Sequence, residues 1–138
     1  MRDLNQAVRK AFAGGGHYAT MAAVGWHGRR GLAVLTNAGH PPPLWYRASQ
    51  NDWSWLRTQR AGERKGPAGL PLGLFPNVSY DHLVFKPQPG DLIVLYSDGV
   101  SEASSPDGDE LVSALRAFRG DGERLDDETI IVIRRDNL

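Results

Sequence analysis

The run Gly90-Asp91-Leu92-Ile93-Val94-Leu95-Tyr96-Ser97-Asp98-Gly99-Val100-Ser101-Glu102-Ala103 decides how this chain is read. Leu92 to Tyr96 is unbroken apolar sequence and follows a Pro89-Gly90-Asp91 turn. So short and so apolar a run predicts a strand buried on both faces. Off its end stand a hydroxyl, a carboxylate and a glycine. Asp98 is thereby held at the rim of a rigid strand, and Gly99 lets the backbone turn beside it. A carboxylate ending a core strand is costly unless something pairs with it, and a metal ion is one such partner. The plainer reading is that Asp98 begins a turn or caps a helix, as Asp often does.

A second acidic strand end bears on that choice. Leu125-Asp126-Asp127-Glu128-Thr129 leads into Ile130-Ile131-Val132-Ile133, another short β-branched strand. Two buried strands that each deliver a carboxylate at one end can converge on one divalent cation. Oxygen donors at Asp98 and Asp126 suit magnesium or manganese.

The rest of the chain supplies the frame. Leu4, Val8, Ala11 and Phe12 recur at helical spacing ahead of Gly14-Gly15-Gly16, an amphipathic helix that has to lie on a sheet. Tyr18–Trp26 and Gly31–Thr36 read as a hairpin across His27–Arg30, and Asn37-Ala38-Gly39-His40-Pro41-Pro42-Pro43 breaks the ladder. Leu44–Arg47 and Trp53–Arg57 form a second hairpin, whose tryptophans are expected in sheet packing. Thr58 to Gly73 is a loop rich in glycine, proline and cations, with Leu70-Pro71-Leu72-Gly73-Leu74 packing down. Tyr80–Lys86 is a strand turned by Pro87-Gln88-Pro89-Gly90 into the apolar run, and Asp109–Phe118 reads as a short helix. The expected class is α+β, mostly antiparallel sheet with two helices, in one domain over residues 1–138.

Composition excludes several functions. Sixteen Lys+Arg balance sixteen Asp+Glu, so no global field recruits nucleic acid or an anionic membrane. The same balance disfavours a nucleic-acid arm at Arg57, Arg60, Arg64 and Lys65. With no cysteine, thiolate chemistry and disulfides are out, which fits a reducing cytoplasm. No apolar run approaches a membrane span, and Met1-Arg2-Asp3-Leu4-Asn5 does not read as a signal peptide, so a cytoplasmic location is expected. His17, His27, His40 and His82 lack the spacing of zinc ligands. Ser97 has no nucleophile elbow around it.

Four motifs together closely resemble the SpoIIE-like branch of the metal-dependent (PPM-type) serine/threonine protein phosphatases. They are Asn37-Ala38-Gly39-His40-Pro41-Pro42, Gly69-Leu70-Pro71-Leu72-Gly73, the Pro89–Ala103 run and Asp126-Asp127-Glu128-Thr129, in that order. The resemblance implies a four-layer αββα sandwich with a two-metal centre at one end. There, a water or hydroxide bridging manganese or magnesium ions attacks a phosphoserine or phosphothreonine. It implies Asp98 and Asp126 as metal ligands, Asp127 as the alternate in register and Glu102 as an accessory ligand. Gly99 would permit the turn, and Asn37, Gly39 and His40 would form a structural turn near the site. The implied substrate is a phosphoprotein of bacterial signalling, such as a phosphorylated anti-sigma-factor antagonist.

Two further motifs expected from the resemblance are absent: a Gly-Asp-Tyr-Tyr-Asp-like strand and an Asp-x-Ser-Gly-x-Gly-like turn. The segment from Leu111 to Asp126 is also short. The chain is therefore expected to be the C-terminal portion of such a domain, lacking the N-terminal strands of the fold. Its cage for two ions would be incomplete and its activity alone slight or nil, while open sheet edges would favour homo-oligomers. The competing expectation is a noncatalytic phosphatase-like module that binds a protein partner without turnover.

Overall fold

The structure, a computed structural model, describes residues 1–13, 16–58, 69–102 and 129–136. Helix α1 (Arg2–Ala11) is followed by β1 (Met21–His27), a single 3-10 turn (Gly28–Arg30), β2 (Leu32–Ala38), β3 (Leu44–Arg47) and β4 (Asp52–Trp55). Then come β5 (His82–Phe85), β6 (Leu92–Tyr96), the short helix α2 (Asp98–Glu102) and β7 (Ile130–Arg134). The expected helix over Asp109–Phe118 lies outside the described residues, as do Arg60, Arg64 and Lys65.

Two antiparallel sheets result, ordered β1-β2-β5 and β4-β3-β6-β7. The β1–β2 hairpin reverses through the 3-10 turn and Gly31, whose φ of 61° is left-handed backbone that favours glycine. Its register runs from Met21 opposite Ala38 to His27 opposite Leu32. In the β3–β4 hairpin, Asn51 takes the left-handed position, its side chain accepts from Tyr46 Oη at 2.8 Å, and Arg47 pairs with Asp52.

The sheets meet face to face. Ala33 and Leu35 of β2 and Phe85 of β5 are buried against Ile93 of β6 and Leu56, with Trp45 tilted over Phe85 at a centroid distance of 5.3 Å. On the far side of the second sheet, Leu44, Val94 and Tyr96 form another core with Trp53, Trp55 and Val100 of α2. Alternation along β6 sends Ile93 and Leu95 to one core and Val94 and Tyr96 to the other, so this strand is apolar throughout because both of its faces are covered. This is α+β architecture, part of an αββα sandwich.

Asp91 locks the start of β6. Its buried carboxylate accepts from Trp45 Nε1 at 3.1 Å, from the Ala48 amide at 2.9 Å and from the Gln88 amide at 2.8 Å. One side chain thus ties the β3–β4 turn and the turn before β6 to the same point.

Three features depart from the sequence reading. β2 continues through Asn37 and Ala38, because the alternation that buries Ala33 and Leu35 also buries Asn37, and the ladder stops only at Gly39. β7 is an edge strand rather than a buried one: Ile131, Val132 and Ile133 are 54%, 56% and 40% exposed, since β6 flanks it on one side only among the described residues. Helix α1 is moored by a polar residue. Buried Asn5 donates to the Phe75 carbonyl at 3.0 Å and accepts from the Gly73 amide at 2.8 Å, while Leu4 and Phe12 of the expected apolar face are exposed.

Candidate metal centre at the ends of β6 and β7

The ladder between β6 and β7 ends in a pair that switches from backbone to side chain. Ser97 N–H donates to the Thr129 carbonyl at 2.9 Å, and Thr129 N–H donates to Ser97 Oγ at 2.9 Å. Because the hydroxyl takes the place of the Ser97 carbonyl, that carbonyl accepts the Val100 amide at 3.2 Å and the chain enters α2. A serine at this position therefore closes one sheet and opens one helix.

Asp98 is the first residue of α2 and is exposed at the rim; Gly99 and Val100 behind it are buried. Glu102 is the last residue of α2. Asp126 and Asp127 lie outside the described residues. Thr129, beside Ser97, is three residues along the chain from Asp126, a covalent reach of at most about 10 Å.

The turn from Asn37 to His40 stands against the same end of β6. Asn37 Nδ2 donates to the His40 carbonyl, and the His40 amide donates to Asn37 Oδ1, both at 2.9 Å. Gly39 has φ of 69°, and a Cβ there would stand 2.8 Å from Pro71 Cγ, so the turn and the Gly69–Gly73 segment touch where only glycine fits. His40 Nδ1 lies 3.1 Å from Thr20 Oγ1. Burial lowers the His40 pKa below its ordinary value, opposed by a hydrogen bond to the Tyr96 backbone and by the Asp98 charge. Tyr96 Oη donates to the Pro42 carbonyl at 3.1 Å, and burial pushes this phenol well above its ordinary range, against a smaller opposing effect of Arg57.

Asp98 and the turn of Asn37, Gly39 and His40 are thus neighbours in space. Among the described residues, no group of three or more His, Asp or Glu is placed to hold a metal ion. The donor at the rim is a carboxylate oxygen, which fits a hard divalent ion such as Mg²⁺ or Mn²⁺, and the acidic residues preceding Thr129 carry the same chemistry. Thr20 was not singled out by sequence, since an isolated threonine before a strand carries no signal of the histidine it meets. The buried carboxylate of Asp91 was likewise read only as part of a turn.

The comparison with curated proteins gave no match. Solved structures do match. The manganese-soaked phosphatase domain of the cell-fate determinant SpoIIE from Bacillus subtilis superposes with a TM-score of 0.58 at 18% identity, over 87% of this chain and 57% of that one. The PPM Ser-Thr phosphatase MsPP from Mycobacterium smegmatis, in complex with cacodylate, gives 0.69 at 22% identity, over 97% and 70%. The RsbU and RsbW domains of a Mycobacterium tuberculosis protein give 0.68 at 22%, over 99% and 42%. The chain thus spans little more than half of the SpoIIE domain's length and less than half of the RsbU–RsbW chain. These likenesses show a shared fold. The family model described as stage II sporulation protein E (SpoIIE) matches residues 1–112, well over half of the sequence, and the chain belongs to that family.

Proposed function

We propose that this chain contributes to a metal-dependent serine/threonine protein phosphatase of bacterial signalling, which hydrolyses a phosphomonoester on a regulatory protein. Asp98 and Asp126 are its metal ligands, with Asp127 the alternate and Glu102 accessory. One observation carries the reading: the Ser97–Thr129 pair, which starts the Asp98 turn and the Asp126–Glu128 run from adjacent backbone positions. Manganese or magnesium held there supplies a nucleophile at neutral pH and offsets phosphoryl charge. The chain's own residues bind and orient: Asp98 presents a carboxylate from a rigid strand end, and Asn37 and His40 brace that end through Thr20 and Tyr96.

The substrate is a phosphorylated regulator such as an anti-sigma-factor antagonist, as the resemblance to the SpoIIE-like phosphatases implies. Two or three carboxylates make a partial cage for two ions, so hydrolysis by this chain alone is expected to be weak or absent. The competing reading is a noncatalytic module that binds a protein partner. Titration with Mn²⁺, followed by electron paramagnetic resonance, separates the two. Saturable binding that weakens at least tenfold in both Asp98→Asn and Asp126→Asn supports the metal centre. Binding equal in all three proteins, or none at all, refutes it.

A further inference from the structure

The carbonyl of Tyr96, a buried residue, needs a donor that no strand gives it. The peptide joining Tyr96 to Ser97 sends its N–H to the Thr129 carbonyl beside β7, so its carbonyl faces the β3 side of β6. The β3 ladder stops short of it, at Leu44 opposite Val94. Carried two residues further, that ladder would bring Pro42 opposite Tyr96, and proline has no N–H to give. The His40 ring supplies the donor. Its hydrogen bond to the Tyr96 backbone works against the larger effect of burial by favouring the protonated ring, as a bond to a carbonyl does.

The other side of the ring meets Thr20, whose Oγ1 lies 3.1 Å from Nδ1. A ring nitrogen bonds along one direction, so with Nδ1 turned to the hydroxyl the Tyr96 carbonyl is served by Nε2. A neutral imidazole carries one proton, and Nε2 needs it in order to donate. Nδ1 is then an acceptor and the Thr20 hydroxyl its donor. Both partners are anchored. Ala19, next to Thr20, exchanges backbone hydrogen bonds with Leu72 at 2.9 and 2.7 Å, and Asn37 holds the His40 backbone by its amide and its carbonyl. The same turn also accepts Tyr96 Oη at the Pro42 carbonyl, so it holds Tyr96 by side chain and backbone alike.

We propose that Thr20 is a positioning residue for Asp98: its hydroxyl fixes His40 as the Nε2–H tautomer, and the ring pins the Tyr96 carbonyl two residues before the carboxylate. With both nitrogens bonded inside the fold, His40 gives no proton to a leaving group. What it contributes is the aim of a ligand. The consequence for catalysis rests on the reading of Asp98 as a metal ligand; the chain of bonds from Thr20 to Tyr96 does not.

Nitrogen-15 NMR of the full chain, free of metal and at a pH where the ring is neutral, tests the proposal. In wild type, His40 Nε2 resonates as a protonated nitrogen and Nδ1 as an unprotonated one that accepts a hydrogen bond. Thr20 is exposed, so Thr20→Val keeps the fold and its shape while removing the hydroxyl. That variant moves the Nδ1 signal towards that of a free acceptor and shifts the Ser97 and Asp98 amides. Thr20→Ser leaves all of them near their wild-type positions. Mn²⁺ binding, followed by electron paramagnetic resonance, weakens at least threefold in Thr20→Val and is retained in Thr20→Ser. A proton on Nδ1, a mixture of tautomers in wild type, or Ser97 and Asp98 amides indifferent to Thr20→Val overturns the proposal. So does a Mn²⁺ affinity equal in Thr20→Val and wild type. Because the nitrogen and amide signals are read without metal, they judge the Thr20–His40 link separately from the Mn²⁺ titration that judges the centre.

Discussion

Ser97 and Thr129 are bound to each other twice, once through backbone and once through the Ser97 hydroxyl, each at 2.9 Å. The pair joins the last rung of the β6–β7 ladder to the first turn of α2, and it is where the proposed ligand strands share a border. In Ser97→Ala the Thr129 amide loses its acceptor. The expected loss is about 1 kcal/mol of unfolding free energy in urea, with weaker Mn²⁺ binding. Ser97→Thr keeps the oxygen and should restore both. An alanine variant as stable as wild type would show that the hydroxyl contributes nothing to closing the ladder.

Asp91 predicts a larger effect at the other end of the same strand. Removing its carboxylate leaves the Trp45 indole and the Ala48 and Gln88 amides without their acceptor. Asp91→Ala is expected to cost about 3 to 5 kcal/mol, because orphaned buried donors lose their full desolvation penalty. Asp91→Asn keeps acceptor capacity on one oxygen and should lose less. Equilibrium urea denaturation of both variants checks the order; equal losses would contradict the three-bond account.

The strands were legible where burial left a period. Leu92–Tyr96 reads as a doubly covered strand, and it separates the two cores. The hairpins were legible from their turns. What escaped sequence was decided by tertiary partners. β7 is as β-branched as a core strand, yet Ile131, Val132 and Ile133 are exposed while Ile130 packs on a core, because composition records a preference for pleated structure and not how many neighbours a strand has. Helix α1 has an apolar stripe, but Asn5 holds it through groups about 70 residues away, which no local pattern encodes. At the site, Asp98 and the Asn37–His40 turn were legible as motifs. Their adjacency was implied by the family resemblance and not by any local pattern, since it depends on how β2 and β6 lie in separate sheets.

Asn5 yields a test of that long-range mooring. Its amide donates to the Phe75 carbonyl, and its oxygen accepts from the Gly73 amide and from Tyr80 Oη at 3.3 Å. Asn5→Ala is expected to cost about 2 kcal/mol. The loss should be local, with faster amide hydrogen exchange in α1 than in β6. Uniformly faster exchange throughout the chain would mean that α1 is part of the global cooperative unit.

Gly39 lies under Pro71 in left-handed backbone. In Gly39→Ala the new methyl would stand 2.8 Å from Pro71 Cγ and 2.9 Å from Pro71 Cδ, so either the His40 turn or the Gly69–Gly73 segment must move. The expected cost is on the order of 2 kcal/mol or more, from backbone strain and overpacking together. Pro71→Ala in the same chain removes the overlap with the ring but neither that with the Pro71 backbone nitrogen, at 2.9 Å, nor the strain, and should recover part of the loss. No recovery would assign the cost to φ and the backbone contact together.

His40 sets a pH dependence whose sign follows from burial. Its pKa in the folded chain lies below the ordinary 6.5, so as pH falls through that value the unfolded chain takes up the proton first. Between 6.5 and the lower folded value the unfolded state binds more protons, and stability declines with falling pH. Below the folded value both states are protonated and this contribution levels off. Asp98 and the Tyr96 backbone oppose the shift, so Asp98→Asn should lower the His40 value further and widen the window. His40→Gln removes the titrating group while keeping a side-chain amide for Thr20. Urea midpoints measured from pH 7.5 down to 4.5 should fall less steeply in His40→Gln than in wild type. Parallel curves for the two proteins would mean that the imidazole titrates as it does in water, and the burial argument at this turn would fail.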